Sequence, residues 1–353
     1  MTNKIQLKIS IFLIITLIAG MLSGCAKETK LTRYDTEFLS LFDTASKIIA
    51  YTTNEAEFEK QSNFIYDELK VYHELFDIYN DYDNVNNIKT INDNAGISPV
   101  KVDKKLIDLL LFSKEIYELT DGKVNIAFGS VLKVWHEYRE AGIASPETAA
   151  IPSMEILLEA NKHTDINKMI IDEQASTVYL EDKEMSLDVG AIAKGYSTEQ
   201  VALAGENNEG ITTMLLSIGG NVRSIGEKGN KEGPWKVGVQ NPDKEDGTSL
   251  IHTVALVDSS LVTSGDYQRY YFVNGKRYHH IIDPETLMPA DHYRAVSIIA
   301  KDSGMADGLS TACFIMPLEE AKALIEKIDG AEAVFVMPDG SLEYTSGFKD
   351  YIR

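Results

Sequence analysis

The 353-residue sequence predicts an α+β fold in one large globular unit, and three observations carry that prediction. Two long stretches, Glu55 to Phe76 and Asp103 to Thr120, repeat their apolar residues at helical spacing. Short runs rich in β-branched residues crowd the second half of the chain. Helices and strands do not alternate as regular βαβ units, and neither a solenoid-length repeat nor a low-complexity linker divides the chain.

The first segment reads as an address. Lys4 and Lys8 precede an apolar run from Ile9 to Ala19, which is short for a membrane-spanning helix, and Leu22-Ser23-Gly24-Cys25 ends it. The ending looks like a bacterial lipobox. It predicts a signal peptide over 1–24, a lipidated Cys25 as the new N-terminus and a tether over 25–36, polar from Ala26 to Arg33. The globular domain then covers 37–353, lipid-anchored at the extracytoplasmic face of a bacterial cell membrane. The alternative is an ordinary cleaved signal with an incidental Cys.

Within the domain, Phe38 to Tyr51 alternates and is β-branched in its second half, which predicts a strand. Glu55 to Phe76 places Phe58, Ile65, Leu69, Tyr72 and Phe76 on one helical face. Asn80 to Gly96, rich in Asn and Asp, predicts loop and turns. The helix over Asp103 to Thr120 is stopped by Asp121-Gly122, and Ala141 to Pro152 is a breaker-rich connection. Thr177 to Leu180 and Glu184 to Asp188 predict short strands, and Gly195 to Ala204 a helix. Thr213 to Ser217 predicts a strand entering Gly219-Gly220, with further strands at Trp235 to Gln240, Ser249 to Val257 and Ala295 to Ala300. Helices at Ala306 to Met316 and Leu318 to Ile328 and strands at Ala333 to Met337 and Leu342 to Tyr344 close the chain.

Composition excludes several function classes. Hydrophobic residues make up 44% of the chain, enough for a sizeable core. The formal net charge of −20, more negative still once Lys4 and Lys8 leave with the signal, argues against nucleic-acid binding and against an electrostatic grip on anionic lipid. Two cysteines exclude a disulfide framework and a Cys-rich metal centre, and Cys313 reads as a buried small hydrophobe. No Walker loop, Gly-x-Gly-x-x-Gly or Gly-x-Ser-x-Gly is present. His73-Glu74 and His136-Glu137 lack the second His of a zinc-protease motif, so both read as helix-surface or locally hydrogen-bonded pairs.

Four clusters carry chemistry. In Ser186-Leu187-Asp188-Val189-Gly190-Ala191-Ile192-Ala193-Lys194-Gly195-Tyr196, a small-residue turn opens a helix whose N-terminus favours anions, with Lys194 as a point charge for phosphate. Ser217-Ile218-Gly219-Gly220-Asn221 is either a ligand approach or an ordinary tight turn. Thr263-Ser264-Gly265-Asp266-Tyr267, Arg269 and His279-His280-Ile281-Ile282-Asp283-Pro284 gather hydroxyls, carboxylates, an Arg and imidazoles within about one hairpin, as acid–base work requires. In Ala306-Asp307-Gly308-Leu309-Ser310-Thr311, Asp307 and Thr311 share a helix face and suit a hard cation, or else they cap the helix.

Together and in this order, these blocks resemble the ApbE family of FAD:protein FMN transferases, over most of the chain from about Phe42 onward. The resemblance implies a T-fold-like α+β unit with a mixed, mainly antiparallel sheet and packed helices. It implies an enzyme that splits FAD at its pyrophosphate, transfers FMN to a Thr or Ser hydroxyl of an extracytoplasmic target protein and releases AMP. It implies Mg²⁺ held by the Ala191 carbonyl, Asp307 and Thr311, with Ser310 beside them. It implies FAD contacts at Phe42, Tyr79, Asn125, Asp188, Lys194 and Ile281 or Ile282. His280 is the candidate base, its ordinary pKa suiting neutral pH; Asp283 either orients it or faces the metal. Mg²⁺ offsets pyrophosphate charge, and phosphoryl transfer asks mainly for positioning and electrostatics, which suits a site without a strong protein nucleophile.

Two departures stand out. The family's Asp-x-Thr-x-Gly-Pro-Leu run is here Asn125-Ile126-Ala127-Phe128-Gly129-Ser130-Val131, and its Met-Gly-Thr element is Phe42-Asp43-Thr44. Two other readings stay open: an FAD pyrophosphatase, in which water attacks the same phosphorus, and a flavin-capturing lipoprotein without chemistry. A purely structural lipoprotein needs no such clustering.

Overall fold

The computed structural model describes residues 30–243 and 249–353. The signal peptide predicted over 1–24 and the lipidated Cys25 lie outside the described residues.

The chain opens with β1 (Thr32–Phe38) and β2 (Ser46–Thr52), paired antiparallel. The single strand predicted over Phe38 to Tyr51 is thus a turn followed by a strand, because Phe42 and Asp43 take left-handed backbone angles, φ 54° and 51°. β1 also begins inside the stretch predicted as tether. Helix α1 (Glu55–Phe76) is capped by Asn54 and buries Phe58, Ile65, Leu69, Tyr72 and Phe76, the face its spacing predicts. The predicted loop over Asn80 to Gly96 contains a short helix, α2 (Ile88–Asp93), which forms because Asn87 and Thr90 cap each other reciprocally. β3 (Val100–Lys101) and α3 (Lys104–Leu119) follow. Two helices lie in a stretch with no predicted element, α4 (Gly129–Ala144) and α5 (Met154–Asn161). β4 (Met169–Asp172) and β5 (Thr177–Leu180) join β3 in a small sheet. Glu184 to Asp188 is not a strand; Asp188 N–H donates instead to the Ile126 carbonyl at 2.8 Å.

Helix α6 (Ala193–Glu209) leads into β6 (Met214–Ile218) and β7 (Asn221–Ile225). Two hairpins follow around a central strand: β8 (Trp235–Gln240) with β9 (Leu250–Leu256), then β10 (Ser260–Gly265), then β11 (Tyr270–Val273) with β12 (Lys276–His279). β13 (Ala295–Ala300), α7 (Ser303–Ile315), α8 (Leu318–Ile325), β14 (Glu332–Val336) and β15 (Leu342–Tyr344) complete the chain.

The main sheet is antiparallel throughout, in the order β1-β2-β6-β7-β10-β13-β14-β15. Strand alternation sends neighbouring residues to opposite faces. Val262, Ile298 and Phe335 join the large core under the helices, whereas Leu261, Ile299 and Val334 pack beneath the β8–β9 hairpin. A third, separate core of Phe128, Val131, Trp135, Leu157, Tyr271, Ile282 and Leu287 joins α4, α5 and the β11–β12 hairpin. The candidate site lies where this smaller core meets the large one.

Candidate active site

One cavity of about 350 Å³ is lined by Phe42, Tyr79, Asn125, Asp188, Ala191, Lys194, His280, Ile281, Ile282, Asp307 and Thr311. Most of the residues predicted for the site therefore converge. Their positions follow from local structure.

Helices α6 and α7 pack at nearly backbone contact because Gly195 has no side chain; a Cβ there would overlap the Ser303 carbonyl and Asp307 Cβ. One turn further on, the buried Glu199 carboxylate accepts from Arg223 Nε at 2.9 Å and from Ser303 N–H at 2.8 Å, gripping the start of α7. α7 is capped by Asp302, not by Asp307, which leaves Asp307 and Thr311 in the helix body on its inward face. Asp307 is 5% exposed. Its Oδ2 accepts from Gly195 N–H at 2.8 Å and from Asn221 Nδ2 at 2.9 Å, while its Oδ1 has no hydrogen-bond partner among the described residues. Because Gly195 N–H is turned to Asp307, the Ala191 carbonyl is also left without a donor among the described residues, as is the Thr311 hydroxyl without a partner. Burial raises the Asp307 pKa, against the opposing pull of Lys194, Gly195 N–H and Asn221.

Ser310 is placed differently. It is fully buried, its Oγ donates to the Asp307 carbonyl at 2.9 Å and meets Ser264 Oγ at 2.8 Å, and it does not line the cavity. Asp283 is not brought to His280 or to Asp307. Its carboxylate lies 3.5 Å from Lys123 Nζ and accepts from Glu285 N–H at 3.0 Å. Ile282 turns into the smaller core, and the chain reverses beyond it, with Ile282 bridging to Pro289.

His280 lines the cavity, and its Nδ1 is buried without a partner. Burial and the neighbouring Arg269, His279, Lys194 and Arg139 push its pKa down to about 3, so the ring is neutral at physiological pH but a weaker base than the ordinary imidazole the sequence predicts. His279 is instead structural, with Nε2 2.7 Å from the Ala290 carbonyl. Asp188 Oδ1 accepts Gly190 N–H at 2.8 Å; burial raises its pKa against Gly190 N–H, Arg269, His136 and Lys194. Asn125 uses both ends of its amide: Oδ1 accepts Ala127 N–H at 2.9 Å and Nδ2 donates to the Thr164 carbonyl at 2.9 Å. A carboxylate cannot make the second bond, which gives the departure at this position a local reason. Tyr79 stands at the rim, 58% exposed.

The sequence reading missed one wall. Lys123, His136 and Arg139 also line the cavity, with Leu132 and Trp135. Phe128, Leu132, Trp135, His136 and Arg139 recur at helical spacing, a signal that the sequence does contain. Lys123, which is paired with Asp283 and Glu285, and Arg139, Lys194 and Arg269 bring four cationic side chains to the cavity wall in a chain of net charge −20. An apolar floor, a cationic wall and a corner of unpartnered oxygens suit an aromatic, multiply anionic ligand bound with a hard cation.

A model of the ApbE family matches residues 42–335. A protein of Treponema pallidum (strain Nichols) named FAD:protein FMN transferase is 33% identical over 279 residues, 75% of each chain. One of the same name from Escherichia coli (strain K12) is 30% identical over 254 residues, 70% of this chain and 69% of that one. The crystal structure of the ApbE protein from Thermotoga maritima shares the fold with a TM-score of 0.78 at 30% identity, covering 91% of this chain and 100% of that one. The flavin transferase ApbE from Vibrio cholerae, at 22% identity and a TM-score of 0.75 over 91% of this chain and 99% of its own, shares the fold as well.

Proposed function

The chain belongs to the ApbE family, and from that premise we propose that it is a Mg²⁺-dependent FAD:protein FMN transferase, lipid-anchored through Cys25 at the extracytoplasmic face of the cell membrane. The acceptor is a Thr or Ser hydroxyl of a target protein. Its oxygen forms a bond to the FMN-side phosphorus of FAD, the pyrophosphate P–O bond breaks, AMP leaves, and the hydroxyl proton passes to a base.

The observation that carries the reading is the corner of unpartnered oxygens. The Ala191 carbonyl, Asp307 Oδ1 and the Thr311 hydroxyl lack hydrogen-bond partners among the described residues, beside Lys194 in the cavity wall. No group of three or more His, Cys, Asp or Glu side chains placed to hold a metal ion exists among the described residues. This set of one carboxylate and two neutral oxygens suits a hard ion that keeps waters and phosphate oxygens as further ligands. Mg²⁺ bound there supplies charge neutralisation of the pyrophosphate. Lys194 and Arg269 bind the anionic substrate, and Ile281 and Ile282 exclude water beneath it. His280 Nδ1 is the proton acceptor. A bound dinucleotide brings negative charge among the cations that depress its pKa and so restores its basicity.

The test is incubation of the soluble form from Ala26 with FAD and Mg²⁺, with and without a Thr-bearing acceptor domain. AMP release and a flavin mass adduct on the acceptor are expected only with Mg²⁺. AMP and FMN without an adduct for any acceptor would make the protein a pyrophosphatase. Bound FAD without AMP would make it a flavin carrier.

A further inference from the structure

Phe42 and Tyr79 line the cavity from separate turns, one after β1 and one after α1. Between them stands His73, in the last turn of α1. Its Nδ1 accepts Phe42 N–H at 3.2 Å, so in the neutral ring the proton sits on Nε2. Nε2 faces Tyr82 Oη at 3.3 Å, and the Tyr82 hydroxyl donates to Asp77 Oδ2 at 2.7 Å. Asp77 Oδ1 in turn accepts Tyr79 N–H at 2.6 Å. The hydrogen bonds thus run unbroken from the backbone of Phe42 to the backbone of Tyr79. Ring contacts follow the same path, Phe42 on His73 at 5.4 Å and His73 on Tyr82 at 6.1 Å.

Phe42 needs such a hold. It and Asp43 are consecutive left-handed residues without a glycine, a conformation that persists only where surrounding contacts impose it. Besides the bond to His73, the turn is closed by one long backbone bond, Thr44 N–H to the Leu41 carbonyl at 3.4 Å.

We propose that His73 is a positioning residue that ties the two aromatic lips of the cavity, Phe42 and Tyr79, into one unit and thereby sets the affinity for FAD. The inference rests on the proposed function for the identity of the ligand. Because His73 touches neither phosphate-binding nor proton-accepting groups, its loss acts on binding more than on turnover.

FAD affinity, read by flavin fluorescence with Mg²⁺ present, and the KM and kcat of FMN transfer test this in the full mature protein. H73A should weaken FAD binding about tenfold and raise KM in step, with a smaller change in kcat. H73N, whose side-chain oxygen can accept Phe42 N–H, should recover most of the loss; Y82F, which breaks the chain further on, should weaken binding about threefold. F42A and Y79A should be non-additive in the parent and additive in the H73A background, a change that general destabilisation does not produce. Unchanged affinity in H73A, no rescue by H73N, or coupling that survives in H73A would each overturn the proposal; if H73A does not fold, H73N and Y82F decide it through the same affinities. A parent that binds FAD but transfers nothing overturns the reaction and leaves this inference standing. Normal transfer with unaltered affinity in H73A does the reverse.

Discussion

At the scale of single residues, several groups that face the cavity lack hydrogen-bond partners among the described residues. His280 is the clearest case, because its unpartnered Nδ1 and lowered pKa have a consequence for stability. In the unfolded chain the ring titrates near 6.5, whereas in the folded protein it stays neutral down to about 3. Above pH 6.5 both states hold the ring neutral and it contributes nothing. As pH falls below 6.5 the unfolded state gains a proton that the folded state refuses, so stability declines over that window. At pH 5 the loss amounts to about 2 kcal/mol from this residue. His280→Gln removes the titrating group and should be less acid-sensitive than the parent by about that amount. Urea unfolding of both proteins at pH 7.5 and 5.0 measures it; equal losses in the two proteins would place the ring in an ordinary solvated setting.

At the scale of elements, the pairing of α6 with α7 decides where Asp307 and Thr311 lie. The close approach at Gly195 and the Glu199 carboxylate shared by Arg223 and Ser303 hold the two helices. Gly195→Ala forces them apart. It should cost about 1–3 kcal/mol of stability and lower FMN transfer more than tenfold, since the Ala191 and Asp307 oxygens separate. Urea unfolding and the transfer assay read both; a variant as stable and active as the parent would show that the helices yield freely. This pairing also explains what the sequence made legible. Residues that meet within one helix turn or at one helix start, such as Asp307 with Thr311 and Ala191 with Lys194, are adjacent by periodicity alone. Of the wall of Lys123, His136 and Arg139, the last two were legible only as the spacing of α4, and Lys123, in the turn before it, carried no signal. The meeting of α4 with the hairpin of Tyr271 is long-range and leaves no mark in the sequence. Asp283 shows the opposite error. Three residues from His280, it is carried away by the reversal after Ile282 and paired with Lys123. Phe42 and Asp43 broke a strand pattern through backbone angles that side-chain alternation does not report.

At the scale of the molecule, the cavity is lined from two cores. Ile281 belongs to the large core and Ile282, its neighbour, to the smaller one. The oxygens of Asp307 and Thr311 belong to a helix of the large core and that of Ala191 to the turn before α6, while Arg139 rides on the helix of the smaller core. Under the proposed function a dinucleotide that reached both would join them, and binding to the folded state alone raises global stability. At a hundredfold excess over Kd this adds about 2.7 kcal/mol. For a chain of this length that amounts to several degrees of Tm. The net charge of −20 works against an uncompensated pyrophosphate, so the cation should govern most of the gain. FAD with Mg²⁺ is therefore expected to raise Tm by several degrees, and FAD with a chelator by far less. In Asp307→Asn, which keeps the shape but loses the charged oxygen, the Mg²⁺-dependent part should vanish while the small shift from FAD alone remains. Thermal unfolding of parent and variant under the three conditions measures this. A shift of equal size with chelator would remove the cation from the binding step, and a full Mg²⁺ response in Asp307→Asn would move the ion to other oxygens of the cavity.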